Sequence, residues 1–157
     1  MRKKMGRDWK ENLSEFFEEL RIIEESKKET IVKFEQFCEF IAEPAFESLE
    51  KELSEYRVTS KIKKSKGKWI AFQVNFKNSG IERFEYIISL PKNALELKLK
   101  LRIVGKNTGN KKRAEHEEQF MEARRTSDLL KLNKEDLIHD VIEHYRDIIF
   151  KMQTQPE

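Results

Sequence analysis

Cysteine is almost missing from this chain. Cys38 is the single one among 157 residues, so an internal disulfide is impossible and a cysteine-built zinc site is excluded. Set in an apolar helical stretch, Cys38 reads as a small core residue and not as a nucleophile. Proline and glycine number only three and five, which leaves no room for collagen-like repeats or long flexible linkers. No apolar run approaches the roughly 18 residues that cross a bilayer, and the basic start Met1-Arg2-Lys3-Lys4 has no apolar segment behind it. The expected setting is therefore the cytoplasm, with no membrane partner. Catalytic signatures are missing as well. The segment from Gly105 to Lys111 fails the spacing of a phosphate-binding loop, no G-x-S-x-G occurs, and no serine, histidine and acid stand at a recognisable spacing. No cofactor is expected.

Charge is what the chain has in excess: 39% of residues are Asp, Glu, Lys or Arg, against roughly 25% in an average domain. The formal net charge of +3 conceals a segregation. Residues 1–56 carry 10 basic and 15 acidic residues, 57–113 carry 16 and 3, and 114–157 carry 6 and 11. A basic centre lies between two acidic flanks.

That centre alternates apolar and polar residues in four short runs, the signature of half-buried strands. Leu95, Leu97, Leu99, Leu101 and Ile103 oppose Glu96, Lys98, Lys100 and Arg102; Phe84, Tyr86, Ile88 and Leu90 oppose Arg83, Glu85, Ile87 and Ser89. Ile70, Phe72, Val74 and Phe76 oppose Trp69, Ala71, Gln73 and Asn75, and a weaker first run sets Val58, Ser60 and Ile62 against Arg57, Thr59, Lys61 and Lys63. Lys66-Gly67, Asn78-Ser79-Gly80 and Pro91-Lys92-Asn93 supply the turns. A four-stranded antiparallel meander over residues 57–104 follows, with 105–113 as a mobile loop.

The flanks read as helices. Asp8 caps a first helix with Trp9, Leu13, Phe16, Phe17, Leu20 and Ile23 in one apolar stripe. Ser26 and Glu29 have capping-box spacing, which predicts a second helix from Lys27, one continuous helix being the alternative. A stop or bend is expected at Glu43-Pro44, then a helix with Phe46, Leu49, Leu53 and Tyr56 inside. Residues 114–125 suit either a helix anchored by Phe120 and Met121 or an extended excursion back to the sheet edge, and Leu129 to Leu132 a short strand or turn. Asn133 caps a last helix carrying Leu137, Ile138, Val141, Ile142, Tyr145, Ile148, Ile149 and Met152 inward. Residues 1–7 and 153–157 are expected to be disordered tails. The architecture predicted is α+β: one domain over 1–157, in two layers, with the N-terminal helices and the long C-terminal helix on one face of the sheet.

Three candidate sites emerge. The wet sheet face gathers Arg57, Lys61, Lys63, Lys98, Lys100 and Arg102, with Trp69 at its rim and Lys106, Lys111, Lys112 and Arg113 alongside. Clustered cations with an aromatic suit nucleic acid or another polyanion, through counterion release and base stacking. A solvated face that discourages edge pairing asks for the same residues. On the last helix, His139, Asp140, Glu143 and His144 are bunched; His139, Glu143 and His144 are the metal candidates, with His116 as a conceivable third ligand. Spacing of four is equally ordinary on a solvated helix.

The third is Glu96-Leu97-Lys98, an E-x-K. It is loosely similar to the metal-dependent nucleases of the restriction-endonuclease type, whose acids hold magnesium while the lysine assists at the phosphate. That resemblance implies an acid on the neighbouring strand. No Asp lies between Asp8 and Asp128, so only Glu82 or Glu85 could fill the place. Two function classes remain: a non-enzymatic binding or assembly module, engaging a polyanion through the sheet or a protein partner or second copy through the helical layer, and a small metal-dependent enzyme.

Overall fold

The computed structural model describes residues 8–75, 83–107, 112–121 and 126–154. Helix α1 (Trp9–Phe37) passes through a π-helical turn (Cys38–Ala42) into α2 (Glu43–Glu55). Five strands follow, β1 (Thr59–Ser65), β2 (Trp69–Asn75), β3 (Arg83–Ser89), β4 (Lys100–Asn107) and β5 (Lys112–Gln119). The short α3 (Thr126–Leu129) precedes α4 (Lys134–Thr154). The sheet is antiparallel throughout, in the order β1-β2-β3-β4-β5.

The helical run from 9 to 55 is unbroken, so of the two readings at Lys27 the continuous helix holds, and at Glu43-Pro44, where a stop or bend is expected, the chain does not stop. Ser26 stays inside the helix, its carbonyl accepting from Thr30 Oγ1 at 2.8 Å, so the capping box is not used. Proline at 44 lacks the N–H that a regular turn requires. The chain meets this by widening: Glu43 N–H reaches back to the Cys38 carbonyl, and Pro44 falls in the first turn of α2, where no donor is needed.

The four strands foreseen are present in the order foreseen, with β5 added beyond them. Phe76 and the turn at 78–80 lie outside the described residues. Only Ala114 is apolar between Lys112 and Gln119, so no alternation marked β5. It pairs with β4 from Lys100↔Gln119 to Asn107↔Lys112. Residues 105–107 and 112–113, expected in a mobile loop, are therefore in the ladder, and 108–111 lie outside the described residues. Of the two readings of 114–125, the extended one holds as far as Gln119. At its other end β4 is shorter than expected. Residues 94–99 follow the turn at Asn93 (φ 63°) without pairing as strand, yet Leu97 and Leu99 are buried while Leu95 is exposed. Helix α4 continues to Thr154, into the segment expected to be a tail; residues 1–7 and 155–157 are not among those described.

One hydrophobic cluster joins the layers. Phe72, Phe84, Tyr86, Ile88, Leu101 and Ile103 project from the inner sheet face, and Phe34, Phe37, Phe46, Leu137, Val141 and Ile148 meet them from the helices. Phe46 stacks on Phe72 with ring centroids 5.2 Å apart and meets Tyr86 edge-on at 6.2 Å; Phe84 lies 4.9 Å from Tyr145. Gly105 sits on β4 below the end of α4, where a Cβ would lie 3.0 Å from Ile148 Cδ1 and 3.1 Å from Met152 Sδ. The absence of a side chain is what lets α4 come so close.

Helix α1 is too long for this layer. Its 29 residues make a rod of about 43 Å, against about 23 Å for a seven-residue strand. Burial begins only at Ser26, Lys27 and Thr30; every residue from Asp8 to Glu25 is exposed. The stripe expected to pack on the sheet is solvent-facing instead, with Trp9 68%, Phe17 59% and Phe16 50% exposed.

Candidate functional site

On the outer sheet face, strand alternation sorts the cations as expected and register then decides which are paired. Lys61, Lys63, Lys100 and Arg102 are exposed, and Trp69 is half-buried between β1 and β3. The unforeseen β5 changes the field. Arg102 Nε and Nη2 both meet Glu115 Oε1, and Arg113 Nε reaches Glu115 Oε2 at 3.3 Å. The Glu115 carboxyl is held below the usual carboxylate range, chiefly by the Arg102 hydrogen bond. Glu117 stands opposite Arg102 in the ladder. Two of the expected polyanion contacts are thus occupied by acids that alternation did not reveal. Lys98 likewise pairs with Glu96, at 2.9 Å. Arg57 lies before β1, in the left-handed region at φ 59°, not on the sheet face. Lys106 stands between Arg83 and Arg113 in the ladder. Lys111 lies outside the described residues; Lys112 is on β5, opposite Asn107. Among the described residues Lys61, Lys63 and Lys100 form no ion pair, and Lys63 and Lys100 flank a shallow depression of about 400 Å³ with Trp69 and Ile87 in its floor.

Beneath the sheet a polar chain runs from the core out to the exposed edge strand. Tyr86, fully buried at the centre of β3, donates to Asp140 Oδ2 at 2.5 Å. His144, one turn along α4, directs Nδ1 at the Asp140 carbonyl (2.8 Å) and at its Oδ2 (3.2 Å), and Nε2 faces Glu118 Oε1 at 3.5 Å. His116 Nε2 completes the chain at 2.6 Å from the same Glu118 oxygen. The hydrogen bond to Asp140 raises His144 to about 9, so the imidazole is cationic at neutral pH. Burial, then the Asp140 charge, pushes the Tyr86 phenol well up. It stays protonated and donates.

A cavity of about 250 Å³ opens beside His116, Glu118 and His144, floored by Ile103 and Ile148. It falls below the roughly 300–1,000 Å³ usual for small-molecule sites. Among the described residues no serine, threonine or cysteine lines it. The network holds a cation between two carboxylates, and its effect is to pin α4 to β3 and β5.

Of the metal candidates, His116 and His144 both face Glu118, and His139 and Glu143 stand apart from them. His139 and Glu143 lie on the exposed side of α4, whereas Asp140 and His144 turn to the sheet. Among the described residues no group of three or more His, Cys, Asp or Glu is placed to hold a metal ion. The E-x-K lies in the irregular segment before β4, and its lysine is engaged with its own glutamate. Glu82 is outside the described residues, and Glu85 stands opposite Val104 on the outer face. Cys38 is half-buried and its thiol is pushed up to about 12, mainly by burial, so it is not a ready nucleophile.

What sequence reasoning missed is the link from Tyr86 to Asp140 and from His144 to Glu118, and the exposed arm of α1. A hydroxyl in the middle of an apolar strand face was the available signal for the first, since a buried tyrosine needs a partner. No helix among the described residues is long and apolar enough to cross a membrane. Set against protein-family models, curated proteins and solved structures, the chain matches none of them.

Proposed function

We propose that this chain is a non-enzymatic assembly module, in which the α+β body anchors a helical arm, residues 9–25, that docks a protein partner. The observation that carries this reading is the arm's apolar stripe. Phe16 and Phe17, with centroids 5.6 Å apart, together with Trp9, Leu13, Leu20 and Ile23, stand in solvent on a helix about 25 Å long. Apolar stripes of this kind on a surface helix mark interaction sites. An isolated helix of this length is also marginal in water, so a covering partner would stabilise it.

The test is a photo-crosslinking amino acid placed at Phe16, and at Lys100 as control, in the full chain inside cells. A discrete protein adduct from position 16, abolished by Leu13→Glu with Leu20→Glu, supports docking through the arm. Absence of any adduct from position 16 overturns it.

A second reading, polyanion binding by the sheet, rests on the exposed Lys63 and Lys100 beside Trp69, with the exposed Lys61 further along β1. Its test is replacement of Lys61, Lys63 and Lys100 together by Glu. Loss of oligonucleotide binding in low salt supports it, and binding that survives places the site elsewhere.

A further inference from the structure

We infer that the partner of the helical arm is a second copy of this chain, and that the two arms pair antiparallel; this rests on the docking reading above.

The spacing of the arm comes first. Trp9, Leu13, Phe16, Leu20, Ile23, Lys27, Thr30, Phe34 and Phe37 follow one another at alternating intervals of four and three. That is the 3.5-residue seam of a coiled coil, as distinct from the 3.6 period of a helix lying on a sheet. Thr30, Phe34 and Phe37 at one end are buried in the body of the protein. The seam therefore runs from the core out into solvent, where another helix has to continue it.

Charge then selects the partner and its direction. The positions flanking the seam are Lys10, Phe17 and Glu24 on one side, and Asn12, Glu19 and Ser26 on the other. Parallel pairing of two copies sets Glu19 of each against Glu24 of the other, two like-charge contacts. Antiparallel pairing centred near Phe17 sets Lys10 of each against Glu24 of the other, and Phe17 against its counterpart. In that register Leu13 layers on Ile23, Phe16 on Leu20, and Trp9 on Lys27, a cation over an indole at each end. One like-charge contact is left, Glu19 against its counterpart. The two bodies lie at opposite ends of the pair.

Area permits the association. Six exposed side chains offering on the order of 100 Å² each give about 600 Å² per copy, or about 1,200 Å² in total, the lower bound for a specific interface.

Sedimentation equilibrium of the purified full chain tests this. The expected result is a dimer whose dissociation constant rises at least about 100-fold in Phe16→Glu, with the thermal transition of the sheet unchanged because Phe16 touches none of the body. Direction is read from Glu24→Lys. Antiparallel pairing predicts dissociation about tenfold easier, reversed by adding Lys10→Glu; parallel pairing predicts tighter association, because the introduced ammonium would then face Glu19. Tighter association in Glu24→Lys overturns the antiparallel arrangement. A chain monomeric up to about 100 μM overturns the second-copy inference. A monomer that still crosslinks another protein from position 16 leaves the docking reading standing, and a monomer without an adduct removes both.

Discussion

The Tyr86 hydroxyl reaches Asp140 Oδ2 across 2.5 Å, joining the centre of the sheet to the middle of α4. Asp140 is at once the acceptor for that phenol and the counter-ion of His144, so one carboxylate serves both neighbours. Removing either neighbour leaves Asp140 the other. Removing Asp140 strips both.

Tyr86→Phe should therefore cost about 2 kcal/mol, the worth of a hydrogen bond to a charged acceptor that retains another partner. Asp140→Ala should cost more, about 3 kcal/mol or above, because it orphans a fully buried hydroxyl and leaves the His144 cation facing one carboxylate, Glu118, in place of two. Urea denaturation of the two variants beside the parent measures both. Equal losses would show that the phenol and the imidazole do not share this carboxylate.

The same network makes stability depend on pH. His144 titrates at about 9 in the folded chain against an ordinary 6.5, so the folded state holds its proton more tightly. The contribution is full below about pH 6.5 and is lost as pH rises through about 9, so the fold is less stable in mild alkali. The ring is mostly covered, but solvent reaches its partner Glu118, and screening there discounts the effect to about 1 kcal/mol. Urea midpoints at about pH 6 and about pH 9.5 should differ in that sense, and His144→Gln should flatten the difference. His144 followed by NMR should titrate well above the ordinary histidine range.

Gly105 keeps α4 close to β4. Gly105→Val should cost about 1–3 kcal/mol by overpacking against Ile148 and Met152. Gly105→Ala should cost less, since both neighbours meet the new methyl with the ends of flexible side chains. Ile148→Val should recover part of the valine loss, and the double-mutant cycle should show coupling. Independent effects would mean that the helix does not bear on this strand position.

On the outer face, Glu115 occupies both Arg102 and Arg113. Glu115→Gln should release two cations and delay elution from a heparin column to higher salt, while Lys61→Gln should advance it. Unchanged elution in Glu115→Gln would show that this face does not govern polyanion retention.

The inward face of each foreseen strand was legible because a period of two leaves one arrangement that buries Phe72, Val74, Phe84, Tyr86, Ile88, Leu101 and Ile103 together. The caps were legible for a similar local reason: Asp8 accepts from Lys10 N–H at 3.2 Å and Asn133 from Glu135 N–H at 2.8 Å. β5 was not, because an edge strand under a helix terminus needs little apolar surface, and its ladder bonds are made by backbone that carries no sequence signal.

Composition and periodicity alone determined that this is an α+β chain with an antiparallel sheet, since those depend on contacts between residues near in sequence. Only tertiary structure decided that acids from β5 would neutralise Arg102 and Arg113, that Tyr86 of β3 and Glu118 of β5 would meet the Asp140–His144 pair, and that the first apolar stripe would lie beyond the sheet. Each outcome depends on where distant segments end in space. An amphipathic pattern states that a face is to be covered, and the length of α1 against the span of the strands settles that the body does not cover it.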